Sequence, residues 1–291
     1  MNNTTSVFRF GIALALLSPL SLFAEEAKPS HVVHTRVNIA HKGASFDYPE
    51  NTLTAFRAAV LAGADGAECD VYRSADGVVF LSHDVVPKRR LLDGDEDLRQ
   101  MPFEQIRKLD AGAWKHERFK GELVPTLDEF MLLLRGTTCH PVIEIKPPGI
   151  AADVVEVVRR NKMVDVSTII SFHESNVKDV RRLEPNFCVA WLYNENLRDK
   201  GTTAEESADR LAEFLIGKSR ELDVVIVALG HNILSPKLIK SLNESGIHVW
   251  AWTVSDAVRI ERLLDWGVES IITDRPDVLA EILKRRAGQS P

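Results

Sequence analysis

The stretch Gly66-Ala67-Glu68-Cys69-Asp70-Val71-Tyr72, followed after five residues by Val78-Val79-Phe80-Leu81-Ser82, decides how the rest of the chain is read. Both runs have strand character, and the residues between them, Arg73-Ser74-Ala75-Asp76-Gly77, carry an Asp-Gly turn signal. A parallel crossover needs a dozen residues or more. The two runs therefore form an antiparallel hairpin, and the second is not counted as a strand of a parallel sheet. With the turn centred between Ala75 and Asp76, Ser82 and His83 return opposite Cys69 and Glu68.

Outward from this hairpin, short β-branched runs alternate with amphipathic helical stretches, the rhythm of parallel βα units. Strands are expected at 37–40, 66–72, 141–146, 168–171, 187–192, 224–228, 247–253 and 270–273. Helices are expected at 51–61, 126–134, 150–161, 174–183, 204–218, 235–245, 257–266 and 276–284. Asn51 with Thr52 caps the first of these after Pro49, and Gly246 and Gly267 mark two helix ends. Eight such units in about 250 residues predict a TIM-type (β/α)8 barrel. An open doubly wound sheet is the competing architecture, and no GxGxxG follows any strand to support it. Residues 84–124 break the rhythm with a mixed charge run and the aromatic residues Phe103, Trp114 and Phe119. This segment is expected to be an insertion over the C-terminal mouth, a lid or specificity loop.

The 291 residues are 45% hydrophobic and 27% charged, which suits a folded domain and disfavours disorder. Acidic residues outnumber basic ones, and the net charge of −6 argues against a duplex nucleic-acid partner. Residues 1–24 read as a secretory signal: Arg9, an apolar run over 10–23, and cleavage after Ala24. That run is too short for a comfortable membrane span, and no Cys follows Ala24 to carry a lipid. The expected organisation is a signal peptide, a linker over 25–36 and one domain over 37–291. The product is exported, periplasmic or secreted, without a stable membrane anchor; its oligomeric state is left open. Cys69, Cys139 and Cys188 are too few and too scattered for a disulfide framework or a zinc site, and read as buried thiols, with one pairing as the alternative.

Barrel active sites lie at the C-terminal ends of the strands. Alternation puts Glu68 and Asp70 on one face of their strand, and Glu144 and Lys146 on one face of theirs, with Cys69, Ile143 and Ile145 turned to the helices. Three carboxylates meeting in a half-buried mouth are costly to ionise without a cation. Oxygen-only ligands point to one hard divalent ion, Mg²⁺ or Ca²⁺; the alternative is an ion-pair layer with Lys146 and Lys42. His41 follows the first strand and His83 the hairpin. Two histidines beside a bound phosphate can serve as general base and general acid.

The segments His41-Lys42-Gly43-Ala44, Pro49-Glu50-Asn51-Thr52, 63–71 with Glu68 and Asp70, Asp76-Gly77 with His83-Asp84, Pro125-Thr126-Leu127, Glu144-Ile145-Lys146, Trp252-Thr253-Val254 and Thr273-Asp274-Arg275-Pro276 resemble, in order and spacing, the glycerophosphodiester phosphodiesterases. The resemblance implies a TIM-type barrel that hydrolyses glycerophosphodiesters to sn-glycerol 3-phosphate and an alcohol with a divalent metal. It assigns Glu68, Asp70 and Glu144 to the metal and His41 and His83 to acid/base catalysis, His41 as base. Lys42 stands where the family usually has Arg, a point charge in place of a fork, and is expected to bind phosphate together with Lys146. Glu50 pairs with Lys42, orients His41, or stands at a helix N-terminus. Trp252 and Tyr193 are expected to line the alcohol side of the pocket, with core packing as the alternative. Related barrel lipases suggest attack by the glycerol 2-hydroxyl through a cyclic phosphate; attack by water stays open. Two further readings are weighed, a lysophospholipase D-type lipid diesterase and a noncatalytic exported barrel that binds a phosphorylated ligand.

Overall fold

The computed structural model describes residues 33–34, 37–88, 95–197 and 201–288. The expected signal peptide and nearly all of the expected linker lie outside the described residues. Strands β1 (Asn38–Ala40), β2 (Gly66–Arg73), β3 (Val79–Leu81), β4 (His140–Ile145), β5 (Thr168–Ser171), β6 (Cys188–Tyr193), β7 (Ile226–Gly230), β8 (His248–Trp252) and β9 (Ser270–Thr273) form one sheet. All pair in parallel except β3, and β1 closes the sheet by bonding to both β2 and β9. Eight parallel strands thus make a closed TIM-type barrel, and β3 is the antiparallel return of a hairpin on β2.

Seven helices connect barrel strands and an eighth follows β9: α1 (Leu53–Leu61), α3 (Leu127–Leu134), α4 (Ala151–Arg160), α5 (Glu174–Leu183), α6 (Ala204–Leu222), α7 (Pro236–Glu244), α8 (Ala257–Asp265) and α9 (Pro276–Ala287), with the short α2 (Phe103–Ile106) inside the insertion. Their starts follow from local chemistry. Thr126 with Glu129 and Thr203 with Glu206 form capping boxes, and Ser235 precedes Pro236 at the first turn of α7. No helix among the described residues is long and apolar enough to cross a membrane.

Alternation along the strands divides the core. Ile39, Val142, Ile170, Cys188, Ala190, Leu192, Ile226, Ala228, Trp250 and Ile272 fill the barrel, while Cys69, Val71, Ile143, Ile145, Trp191, Tyr193 and Leu229 pack beneath the helices. All three cysteines are buried, Cys188 inside the barrel and the other two outside it. This parity corrects the expectation for Tyr193. Leu192 points inward, so Tyr193 turns outward and packs its ring against Trp191 and Phe214 at 5.0 and 5.4 Å.

The hairpin register also differs by one residue from the expected one. Val71, Tyr72 and Arg73 face Leu81, Phe80 and Val79, and Ser82 donates its amide to Asp70 O. The reason is the turn: Gly77 takes φ +90°, and Ser74 and Val78 are joined by backbone bonding across only three residues. Ser82 therefore returns beside Asp70 rather than Cys69. The insertion packs on this hairpin through Tyr72, Phe80, Leu98, Ile106, Ala111 and Val124, at the C-terminal end of the barrel.

Candidate active site

Parallel register explains which polar groups meet. Asp70 pairs with Glu144 across β2 and β4, so two inward carboxylates stand side by side, and Glu68 lies one inward step below Asp70. One carboxylate oxygen from each of Glu68, Asp70 and Glu144 lies within 4.8 Å of the others. Glu68 and Asp70 are each only 1% exposed. Lys146 Nζ reaches Asp70 Oδ1 at 3.3 Å and Glu144 Oε1 at 3.0 Å.

The electrostatics of this cluster are those of a site short of positive charge. Burial, then the charges of Asp70 and Glu144, push the Glu68 carboxyl well above its ordinary value. Burial and Asp70 likewise push Glu144 up to about 7, although Lys146 opposes them. Burial would raise Asp70 as well, but Lys146, His83, Lys42 and a hydrogen bond from Asn51 outweigh it and hold Asp70 below its ordinary value. Burial favours neutral Lys146, yet Asp70 and Glu144 drive its ammonium above its ordinary value. Glu68 Oε1 is buried with no hydrogen-bond partner. An oxygen-only cage with an orphaned acceptor and two carboxyls resisting ionisation fits a hard divalent cation.

The same register logic places the histidines. Ala40 pairs with Thr273, so the next residues, His41 and Asp274, emerge together, and His41 Nδ1 lies 2.7 Å from Asp274 Oδ1. A carboxylate can only accept, so Nδ1 carries the proton and Nε2 is left for the cavity. Asp274 also accepts from Ser45 Oγ at 2.9 Å and Ser255 Oγ at 3.3 Å. Burial would raise its carboxyl, but His41 and the two hydroxyls hold it below its ordinary value. His83 has a parallel arrangement, with Nδ1 2.8 Å from Asp84 Oδ1 and its carbonyl accepting from Tyr72 Oη.

His41, Glu68, His83, Glu144, Lys146 and Trp252 line one cavity of about 200 Å³, together with Ile170, Phe172, Leu192, Thr253 and Ile272. Trp252 is held by its Nε1 hydrogen bond to Ala228 O and by the edge-on ring of Phe172. The cavity thus has both charged and apolar lining residues. Lys42 is 7% exposed and does not line it; its amide donates to Glu68 Oε2 and its ammonium pairs with Glu50 at 3.3 Å. The expected pairing of Glu50 with Lys42 is present.

Two further residues, Asn51 and Asp274, hold the site's side chains in place by hydrogen bonds. Asn51 does not cap α1; Thr52 does, accepting from the Ala55 amide. Asn51 sits at φ +56° and clasps Asp70, donating from Nδ2 to its carboxylate and accepting its amide. A polar residue tolerant of left-handed backbone beside a motif was the available signal. Asp274 lay within a quoted motif, but nothing local linked it to a histidine 233 residues away.

The sequence profile of the Glycerophosphoryl diester phosphodiesterase family matches residues 41–278. A glycerophosphodiester phosphodiesterase of Caldanaerobacter subterraneus subsp. tengcongensis is 31% identical over 253 residues, covering 85% of this chain and 97% of that protein. Among solved structures, an Oleispira antarctica phosphodiesterase in complex with the product sn-glycerol-3-phosphate superposes with a TM-score of 0.73 at 25% identity, covering 84% of this chain and 96% of that one. A glycerophosphodiester phosphodiesterase from Agrobacterium tumefaciens gives 0.68 at 28% identity, covering 85% and 100%.

Proposed function

The chain belongs to the glycerophosphoryl diester phosphodiesterase family, and from that membership we propose a metal-dependent, two-histidine hydrolysis of glycerophosphodiesters to sn-glycerol 3-phosphate and an alcohol. It is an enzyme, a phosphoric diester hydrolase. The observation that carries the mechanism is the single cavity on which His41 and His83 open together with Glu68, Glu144 and Lys146.

Glu68, Asp70 and Glu144 would hold one divalent cation, Mg²⁺ or Ca²⁺, which supplies Lewis-acid charge at the non-bridging phosphate oxygens when bound. Lys146 brings a fixed ammonium to the same wall, held charged by Asp70 and Glu144. Lys42 acts through its amide on Glu68 and its charge on Glu50. His41 Nε2 accepts the proton of the attacking hydroxyl as the new P–O bond forms, with Asp274 stabilising the imidazolium. His83 gives a proton to the departing alkoxide as the old P–O bond breaks, and Asp84 orients it. The nucleophile is water, or the glycerol 2-hydroxyl; in the second case the cyclic phosphate formed is opened by water, His83 taking the water proton and His41 returning its proton to the 2-oxygen, so both routes start from the same base. Trp252 and the apolar lining residues take the carbon-bearing part of the substrate. Residues 1–24 export the enzyme.

A panel of glycerophosphodiesters assayed with and without added Mg²⁺ or Ca²⁺, on the wild type and on His41→Ala and His83→Ala, tests this reading. Release of sn-glycerol 3-phosphate should require the metal and both histidines. Undiminished turnover by His41→Ala would overturn the acid/base assignment.

A further inference from the structure

The insertion does more than cover the hairpin: it reaches the loop that carries His41. Lys115 Nζ donates to Ser45 O at 2.8 Å, and Arg118 Nη2 to Asp47 O at 3.4 Å. The Arg118 guanidinium lies 4.5 Å from the Phe119 ring and 5.9 Å from that of Tyr48, and the two rings are 5.6 Å apart. The Thr54 hydroxyl bonds the Glu122 carboxylate. Residues 115–122 thus grip the loop between β1 and α1 and the first turn of α1.

Ser45 is where this grip meets the chemistry. Its carbonyl is held by Lys115, while its hydroxyl donates to Asp274 Oδ1, the same oxygen that pairs with His41 Nδ1. The next residue, Phe46, donates its amide to Asp274 O, so the loop is tied to Asp274 on both sides of the Ser45–Phe46 peptide. A general base works only when its free nitrogen is aimed to within a fraction of an ångström, and that aim is inherited from whatever fixes its carboxylate partner.

We propose that Lys115 is a positioning residue for the general base. The insertion clamps Ser45, Ser45 fixes Asp274, and Asp274 holds the His41 ring with Nε2 towards the phosphate. The role of the segment is then catalytic alignment, in addition to any part in closing the pocket. This inference rests on the reading of His41 as an acid/base group.

The test is a mutant cycle on the full-length enzyme. Lys115→Met should lower kcat by about three- to tenfold, the rate equivalent of one hydrogen bond. KM should stay within about twofold, since Lys115 does not line the substrate cavity. Lys115→Arg, which keeps a charged donor, should restore most of the rate. Ser45→Ala keeps the carbonyl but removes the link to Asp274, and should lower kcat to a similar extent. In the Ser45→Ala background, Lys115→Met should then have little further effect. A full, multiplicative loss in the double variant, or a wild-type kcat for Lys115→Met, would overturn the proposal. Activity retained by His41→Ala would overturn the underlying reading instead, so the two failures are distinct.

Discussion

Neutralising Glu144 should stabilise the metal-free enzyme above neutral pH while disabling the metal site. Burial and the charge of Asp70 push the Glu144 carboxyl from its ordinary 4.5 up to about 7. Between those values the folded state binds a proton that the unfolded state has released, so stability falls as pH rises and the full loss is present above pH 7. At 1.36 kcal/mol per tenfold change in affinity, the penalty is about 3 kcal/mol, on the order of 10 °C in Tm for a domain of this size. Glu68, shifted in the same direction, adds to it. Unfolding by denaturant should be followed in chelator at pH 5 and pH 8, for the wild type and Glu144→Gln. The wild type should lose roughly 2–3 kcal/mol more than the variant between the two pH values, part of the penalty being present already at pH 5. Added Mg²⁺ or Ca²⁺ should recover that loss in the wild type but not in the variant. Equal pH dependence in the two proteins would refute the charge-crowding account of the site.

Three further outcomes follow from the same geometry. Chelation should abolish turnover, and Glu68→Ala should cost on the order of a hundredfold or more in rate with the fold intact by circular dichroism; full activity in chelator would end the metal assignment. Asp274→Asn exchanges a charge-assisted hydrogen bond for a neutral one and should lower kcat by about ten- to a hundredfold with little change in KM, as steady-state kinetics would show. His83→Ala should lose kcat far more than binding, and a substrate with a strongly acidic leaving alcohol, which needs no proton, should recover much of the rate. Equal losses for good and poor leaving groups would place the leaving-group proton elsewhere.

The legible part of the site was the part that alternation governs. Glu68 with Asp70, and Glu144 with Lys146, could be assigned to inward faces because a strand repeats every two residues; Glu68, Glu144 and Lys146 line the cavity, and Asp70 lies against Lys146. The same rule fails when a strand end is misjudged by one position. Tyr193 stands just past the expected end of its strand, and the inward parity of Cys188, Ala190 and Leu192 turns it to the helices. The hairpin slipped for the same reason: a three-residue turn shifts every pair by one. Asp274, which bonds to His41, and Ser45, which bonds to Asp274, have no local pattern that announces a partner, and Asn51 offers only its tolerance of left-handed backbone.

By itself, the amino-acid order determines the number and type of the elements, because hydrophobic period, caps and turn residues act within a few positions of one another. It determines the eight βα units, the hairpin, and the inward carboxylates. Only the closed barrel decides which of their ends are neighbours. Because β1 bonds to both β2 and β9, the loop carrying His41 lies between Asp70 on one side and Asp274 on the other, and the insertion grips that loop through Lys115. Hydrogen bonds and charges act over about 3–4 Å of space whatever the separation along the chain, so a histidine and the carboxylate bonded to it can be brought together only by the register of strands that close the sheet.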